Sequence, residues 1–418
     1  MEIQYSNITM EINTLISKAD KKKQGIFITP KIIIASLLDE LESYISEQDL
    51  FVNDILEPSC GTCEIVSMLN TRLNNVTIDA VELNQIIFNK IQDINFKEVN
   101  STNTIHLINR DFIKYDENIK KYDLIVANPP YVVCKKEDVP KKYKKLCIGR
   151  PNLFCIFIIH SLFLLKENGV SAFIIPKSFL NCHYYSLVRN YIKSCCLIVK
   201  IMNFDNDFID TDQSTMGIIL HKKTNEAYCN YSIRLNDNYI FTTNKLELNE
   251  LFEGSTTLEQ LGLSVKTGSI VWNENKNILT SDTSKTLLIY NSNITKGNTF
   301  NAVDFKKEKK GIEIKQEKFQ FIDCAGSNEP VICVNRGNGN SAYKLNYALI
   351  NTNMPFLCEN HLNVIYSKKI QDKKQLLQLY ENVIKSFKNP KTLMFINSFC
   401  GNNALSKTEL QTIFPIYI

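Results

Sequence analysis

The stretch DILEPSCGTCEIVSMLNTRL (residues 54–73) runs an apolar segment, a small-residue turn and a helical stripe together without a gap. Ile55 and Leu56 read as a strand, and Pro58, Ser59, Cys60 and Gly61 as a tight turn. Apolar residues at 65, 66, 68, 69 and 73 then recur on one helix face. A strand that enters a helix through small residues opens a βαβ unit, and small side chains let backbone approach a ligand closely. The same stretch contains Cys60-Gly-Thr-Cys63. A four-ligand zinc site usually needs a second such pair, and none of the five histidines lies near it in sequence, so no metal is expected. A redox dithiol usually sits in a thioredoxin-like context, which is missing as well.

Outward from this stretch the alternation continues. TIDAVELN is strand-like, QIIFNKIQDINF helix-like, and TIHLINRDF and YDLIVANPPY are strands that end in polar or turn residues. NLFCIFIIHSLFLLKENG reads as a long buried helix stopped by Gly169. VSAFIIPKSF, CLIVKIMNF and STMGIILHKK add three apolar strands. The expected class is α/β, with a mostly parallel sheet covered on both faces and ligands at the carboxyl ends of its strands. Beyond about residue 235 the alternation fades and Gly, Asn, Ser and Thr become frequent. The expected division is therefore 1–235, followed by a mixed α+β domain at 236–418.

The 418 residues are 44% hydrophobic and 22% charged, ordinary for a globular chain. A net charge of +4 permits a nucleic-acid partner only where charge clusters. The apolar run LFCIFIIHSLFLL (153–165) falls short of the ~20 residues a membrane span needs, so no membrane association is expected. Thirteen scattered cysteines and no signal peptide point to reduced thiols in the cytoplasm.

Each candidate ligand residue closes a strand. Glu82 lies 21 positions after Gly61, where an acidic residue of a βαβ unit commonly binds ribose hydroxyls. The loop lacks G-x-G-x-x-G, so a nucleoside cofactor fits better than a dinucleotide. Asp111 and Phe112 pair an acceptor for an exocyclic amine with a ring for stacking. In ANPPY (127–131) two prolines fix the backbone and remove donors. The Asn128 oxygen and a nearby carbonyl can then address one amino group, with Tyr131 as a flat face. The plain alternative is a turn that stops a strand.

The order GIFITP (25–30), LEPSCGT (56–62), AVELN (80–84), RDF (110–112), NPPY (128–131) and SAFIIPKSF (171–179) resembles the adenine-N6 DNA methyltransferases, more narrowly their gamma-order class. The likeness covers residues 1–220 well and the rest loosely. In that family the turn usually reads D/E-P-x-C-G-S/T-G. Cys63 therefore stands in place of a glycine, which explains the C-x-x-C spacing and is expected to cost some closeness to the cofactor. The resemblance implies a Rossmann-like methyltransferase sheet, a C-terminal target recognition domain and S-adenosyl-L-methionine as cofactor. It places Thr29 and Pro30 near the methionine carboxylate, and Glu57, Pro58, Cys60 and Gly61 along the cofactor. Glu82 takes the ribose, Asp111 the adenine amine and Phe112 the ring face. Asn128 and the Pro129 carbonyl grip the target N6, and Tyr131 stacks on the target base. Phe208, preferred over Phe204, closes the other face.

The implied partners are double-stranded DNA and a cognate restriction endonuclease, with the chain itself a monomer. The segment 135–150 carries seven basic residues, and Lys141, Lys142, Lys144 and Lys145 are expected along the DNA backbone. Trp272 and Arg336 are candidate base readers in the second domain. A cytosine-C5 enzyme needs a Pro-Cys nucleophile, and none of the 11 prolines precedes a cysteine. Cytosine-N4 enzymes more often carry Ser at the position of Asn128. Glu313-x-Lys315 lacks a preceding Pro-Asp, so no cleavage activity is expected. The alternatives are an N-P-P-Y methyltransferase acting on an RNA base or a protein glutamine, and a DNA-binding specificity protein with a weak catalytic core.

Overall fold

Seven strands form the central sheet of the first unit: β1 (Asp54–Glu57), β2 (Thr77–Glu82), β3 (Thr104–Asn109), β4 (Tyr122–Ala127), β5 (Leu165–Pro176), β6 (Leu197–Phe204) and β7 (Thr215–His221). The computed structural model describes residues 5–26, 28–115, 120–204, 214–223, 230–235, 237–294, 298–303, 305, 307–309, 312–314, 318–337, 343–399 and 404–418. The strand order is β3-β2-β1-β4-β5-β7-β6. The first five strands are parallel, and β7 runs antiparallel to both β5 and β6. The order reverses between β1 and β4, and in open α/β sheets a ligand sits at the carboxyl ends of such neighbours.

The helices are α1 (Asn7–Leu15), α2 (Lys18–Gln24), α3 (Lys31–Glu47), α4 (Glu64–Arg72), α5 (Gln85–Ile91), α6 (Phe96–Val99), α7 (Leu153–Leu164) and α8 (Ser186–Cys195). Successive strand residues point to opposite faces. Leu56, Ile125 and Phe173 thus pack with Phe154 and Ile158 of α7 and with Val188 and Ile192 of α8. Their neighbours Ile55, Leu124 and Ala172 pack with Ile34 and Leu38 of α3 and with Ile65 and Leu69 of α4. Both faces are covered, so the inner strands β2, β4 and β7 are buried almost throughout, while edge strand β3 keeps exposed positions.

Three boundaries differ from the sequence expectation. The helix expected to reach Gly169 ends at Leu164, and β5 begins at the next residue. Helix α7 is buried nearly all round and Gly169–Pro176 entirely, and the polar Lys166, Glu167 and Asn168 between them read as a helix end although they already belong to β5. Strand β3 stops at Asn109 rather than at Phe112. Asp111 instead caps a 3-10 turn (Phe112–Lys114), its carboxylate accepting from Ile113 N at 3.1 Å. The chain divides into Met1–Lys245 and Leu246–Ile418. The hairpin β8 (Ser232–Leu235) and β9 (Asn238–Phe241) lies in the first unit, with Phe241 in the α7/α8 core.

The second unit holds two four-stranded sheets. One runs Leu263–Thr267, Leu362–Ser367, Val331–Asn335 and Tyr347–Ile350 in spatial order, all antiparallel. The other runs Leu279–Thr280, Phe321–Ile322, Thr286–Ile289 and Phe356–Cys358, with its last pair parallel. Helices at Lys373–Phe387, Pro390–Phe399 and Lys407–Thr412 complete it. Among the described residues no helix is long and apolar enough to cross a membrane.

Candidate active site

The turn after β1 is held from below by backbone. Cys60 N donates to Val81 O at 2.9 Å and Cys63 N to Cys60 O at 2.7 Å. Gly61 takes φ 50° and Cys63 φ 63°, both left-handed. A glycine adopts that conformation freely, whereas a β-carbon makes it costly, so the position favours the family's glycine. The Cys63 side chain is fully buried in the α3/α4 core and borders neither cavity of the site. The departure from glycine is carried here by a left-handed backbone and a thiol turned into the core.

Above the turn lies a cavity of about 330 Å³, within the range of small-ligand sites. Pro58, Gly61, Glu82, Asp111, Phe112 and Asn128 all line it. A smaller cavity of about 50 Å³ shares Gly61 and Asn128 with it and is bordered by Thr29, Glu57 and Cys60. The topology brings these together because each closes a strand or begins a helix along one edge of the sheet. Gly25 shows how tight that edge is. A β-carbon there would stand 2.5 Å from Val132 Cγ2 and 3.0 Å from Tyr131 N.

Glu82 is nearly buried. Its Oε2 accepts from Gly61 N at 2.9 Å and its Oε1 from Asn84 N at 2.6 Å. Burial raises its pKa, and these amide hydrogen bonds oppose the rise. The Leu83 amide donates to the same carboxylate, which leaves one lone pair for a ligand hydroxyl. Glu57 is 1% exposed and its Oε2 has no hydrogen-bond partner. Burial holds its carboxyl well above the usual range; the Val66 amide pulls it down and the Glu82 charge adds to the rise. A buried oxygen of this kind is costly unless a donor arrives.

Lys21, which sequence reasoning missed, is also buried and borders the same small cavity. Its Nζ donates to Asn13 O at 3.0 Å and to Asn13 Oδ1, and an ammonium has three hydrogens. Helix α1 was missed too. Glu64 Oε1 accepts from Ser6 N at 2.7 Å and from Thr9 Oγ1 at 2.6 Å, and Thr9 also reaches Thr62. These partners lie 58, 55 and 53 positions apart, which no local spacing reveals.

Asn128 borders both cavities. Its Nδ2 donates to Thr29 Oγ1 at 2.6 Å, and its Oδ1 accepts from Tyr131 Oη at 2.7 Å. Tyr131 departs from expectation. It is buried, with its ring edge-on to Phe154 and its hydroxyl also 2.9 Å from Ile174 O. Its ring therefore presents no open face, because the hydroxyl finds acceptors inside the core. Pro30 and Pro129 are buried and border neither cavity. Phe112 is buried against Phe157 and His160 at centroid distances of 4.9 and 4.7 Å, with part of its surface on the larger cavity. Phe204 is core, packed over Gly217. Phe208 lies outside the described residues.

Lys141, Lys142 and Lys145 are exposed and Lys144 half-buried on a 3-10 helix, Lys141–Leu146. Tyr143 pins that helix, fully buried and hydrogen-bonded to His160 Nδ1. In the second unit, Lys318 and Lys276 lie 4.4 and 5.5 Å from the ring centroid of half-buried Trp272. Arg336 is anchored at one end of its guanidinium. Its Nη1 donates to Asn360 O at 2.9 Å, which ties part of its fork to the scaffold.

Compared with known proteins, residues 15–209 match the family described as Eco57I restriction-modification methylase. The chain is 32% identical over 281 residues to the modification methylase CviBIII of Paramecium bursaria Chlorella virus NC1A, covering 65% of this chain and 67% of that protein. It is 24% identical to the type II methyltransferase M.CvrRI of Paramecium bursaria Chlorella virus XZ-6E across 99% of both. A cryo-electron microscopy structure of a DrdV–DNA complex shares the fold over 92% of this chain and 54% of that one, with a TM-score of 0.55 and 11% identity.

Proposed function

The chain belongs to the Eco57I-type family of restriction-modification methylases, S-adenosylmethionine-dependent DNA methyltransferases, and from that premise we propose that it methylates N6 of an adenine turned out of duplex DNA. The observation that carries this reading is Asn128 of N-P-P-Y, standing on the wall shared by both cavities. The residues around it fit the cofactor. The small cavity is lined by a carboxyl oxygen without a donor, Glu57 Oε2, and by the ammonium of Lys21, an acceptor and a donor that suit the two ends of an amino acid. The larger cavity offers Glu82 for ribose hydroxyls, Asp111 for an exocyclic amine and Phe112 as an apolar wall.

Bound S-adenosylmethionine supplies an electrophilic sulfonium methyl group. The chain supplies position and dipoles. Asn128 Oδ1 and the Pro129 carbonyl accept hydrogen bonds from the target amine, which draws its nitrogen toward tetrahedral geometry and frees its lone pair. An uncharged amide suits a neutral nucleophile that becomes cationic, and most of the rate gain comes from this preorganisation. The extra proton on N6 then leaves to water. Extrusion of the base costs a few kcal/mol, since N6 is engaged in pairing within the duplex. Tyr131 supports Asn128 through its hydroxyl. Lys141, Lys142 and Lys145 run along DNA phosphates, and residues 246–418 read the sequence. A cognate endonuclease cutting the same site completes the system.

Purified protein, labelled S-adenosylmethionine and unmethylated duplex DNA, followed by nucleoside chromatography, test the reading. The expected product is N6-methyladenine, and Asn128→Ala should lower turnover by about a hundredfold or more. Label in N4-methylcytosine, RNA or protein would refute it.

A further inference from the structure

We propose that Thr29 is a positioning residue for the Asn128 amide, holding that amide together with Tyr131 where it meets the target amine; this rests on the role given to Asn128 above. Thr29 was expected at the methionine carboxylate. Thr29 borders the small cavity, and its Oγ1 accepts from Asn128 Nδ2 at 2.6 Å, across 99 positions of sequence. Thr29 is 7% exposed and directly precedes Pro30, the N-cap of the 17-residue helix α3. The hydroxyl is thus fixed at the start of a long element seated in the core. The other end of the amide meets Tyr131 Oη at 2.7 Å.

Counting hydrogens shows why Thr29 matters. An amide has one accepting end and one donating end, and a phenol carries a single hydrogen. Tyr131 Oη has two acceptors in reach, Asn128 Oδ1 at 2.7 Å and Ile174 O at 2.9 Å. When its hydrogen serves Asn128, the amide nitrogen faces Thr29, and Thr29 accepts. When it serves Ile174 O, the amide turns end for end. Its nitrogen then donates to Tyr131 Oη, and its oxygen takes the Thr29 hydrogen. In that second arrangement each of the three contacts holds one hydrogen, and the second amide hydrogen is left over. Both arrangements need a hydroxyl at position 29, accepting in one and donating in the other. A methyl group can do neither. Without the hydroxyl the amide loses the contact that holds its far end, and the lone pair offered to the amine is no longer aimed.

The test compares Thr29→Val, Thr29→Ser and Tyr131→Phe with the parent enzyme, reading kcat, KM for DNA and the calorimetric Kd of S-adenosylmethionine without DNA. Thr29→Val should lower kcat about tenfold or more, with KM and cofactor Kd within about twofold. Thr29→Ser should restore kcat to within about threefold. Tyr131→Phe, which leaves no void, should show the same kcat-only loss and covers the case of a Thr29→Val protein that does not fold. Parental kcat in Thr29→Val or in Tyr131→Phe, beside an inactive Asn128→Ala, overturns the clamp and leaves the proposed function standing. A weaker cofactor Kd in Thr29→Val with kcat intact at saturation assigns the hydroxyl to the cofactor and also overturns it. An active Asn128→Ala removes both readings.

Discussion

Cys63 joins two opposing local effects. Its backbone lies in the left-handed region, which costs a residue with a β-carbon about 1–2 kcal/mol. Its fully buried thiol recovers about 1 kcal/mol by leaving water. Cys63→Gly should therefore change stability by no more than about 1 kcal/mol. Cys63→Val adds a second branch at a conformation β-branched residues avoid, and should cost about 2 kcal/mol or more. Urea titration of the three proteins decides; a Val variant as stable as the parent would remove the strain. At this scale the sequence was informative wherever a residue closes a strand. Glu82 and Asn128 were legible for that reason, and Asp111 and Phe112 as the turn just past β3; all four meet on one cavity. Tyr131 was legible as a ring but not as a buried one, because the acceptor Ile174 O comes from another strand. Lys21 and Thr9 act through tertiary contacts that leave no periodic mark.

Among the elements, β7 shows what pattern reading misses. Its apolar residues announced a strand, yet nothing in them announced its direction or its place between β5 and β6. It ends at His221, 3% exposed, whose Nδ1 lies 2.7 Å from Tyr44 Oη of α3. Burial, with the Lys223 charge behind it, pushes the imidazole down to about 4. The unfolded chain has an ordinary histidine near 6.5. Below pH 6.5 the unfolded state therefore binds a proton the folded state refuses. The contribution of His221 is complete above pH 6.5 and drains away as pH falls toward 4. Unfolding free energy measured from pH 7 to pH 4 should drop on the order of 2 kcal/mol more in the parent than in His221→Gln. Parallel curves would show that His221 has no part in acid sensitivity.

Across the whole chain, the texture change near residue 235 located a second unit, but the division falls at Lys245 because the β8–β9 hairpin is polar enough to resemble the second unit in composition. The sequence offered turn-rich segments there and no βαβ alternation, so the topology of the second unit could not be composed from spacing. The first unit contains both cores of the sheet and every residue bordering the two cavities. Residues 1–245 alone should fold and bind S-adenosylmethionine with an affinity within about tenfold of the full chain, and should lose sequence-selective methylation. Calorimetry and label transfer to DNA of defined sequence measure the two halves of that statement; full selectivity in the fragment would take recognition away from residues 246–418.

The place of β7 also sets an order of events on the ribosome. Among the described residues strand β6 meets the sheet only through β7, and β7 is made after it. While the chain grows from residue 204 to residue 215, the outer edge of β5 and the whole of β6 wait without their partner. Unpaired strand edges of this kind invite intermolecular pairing. One late strand satisfies both at once, so the nascent sheet stays sticky until it arrives and loses two open edges in a single docking step.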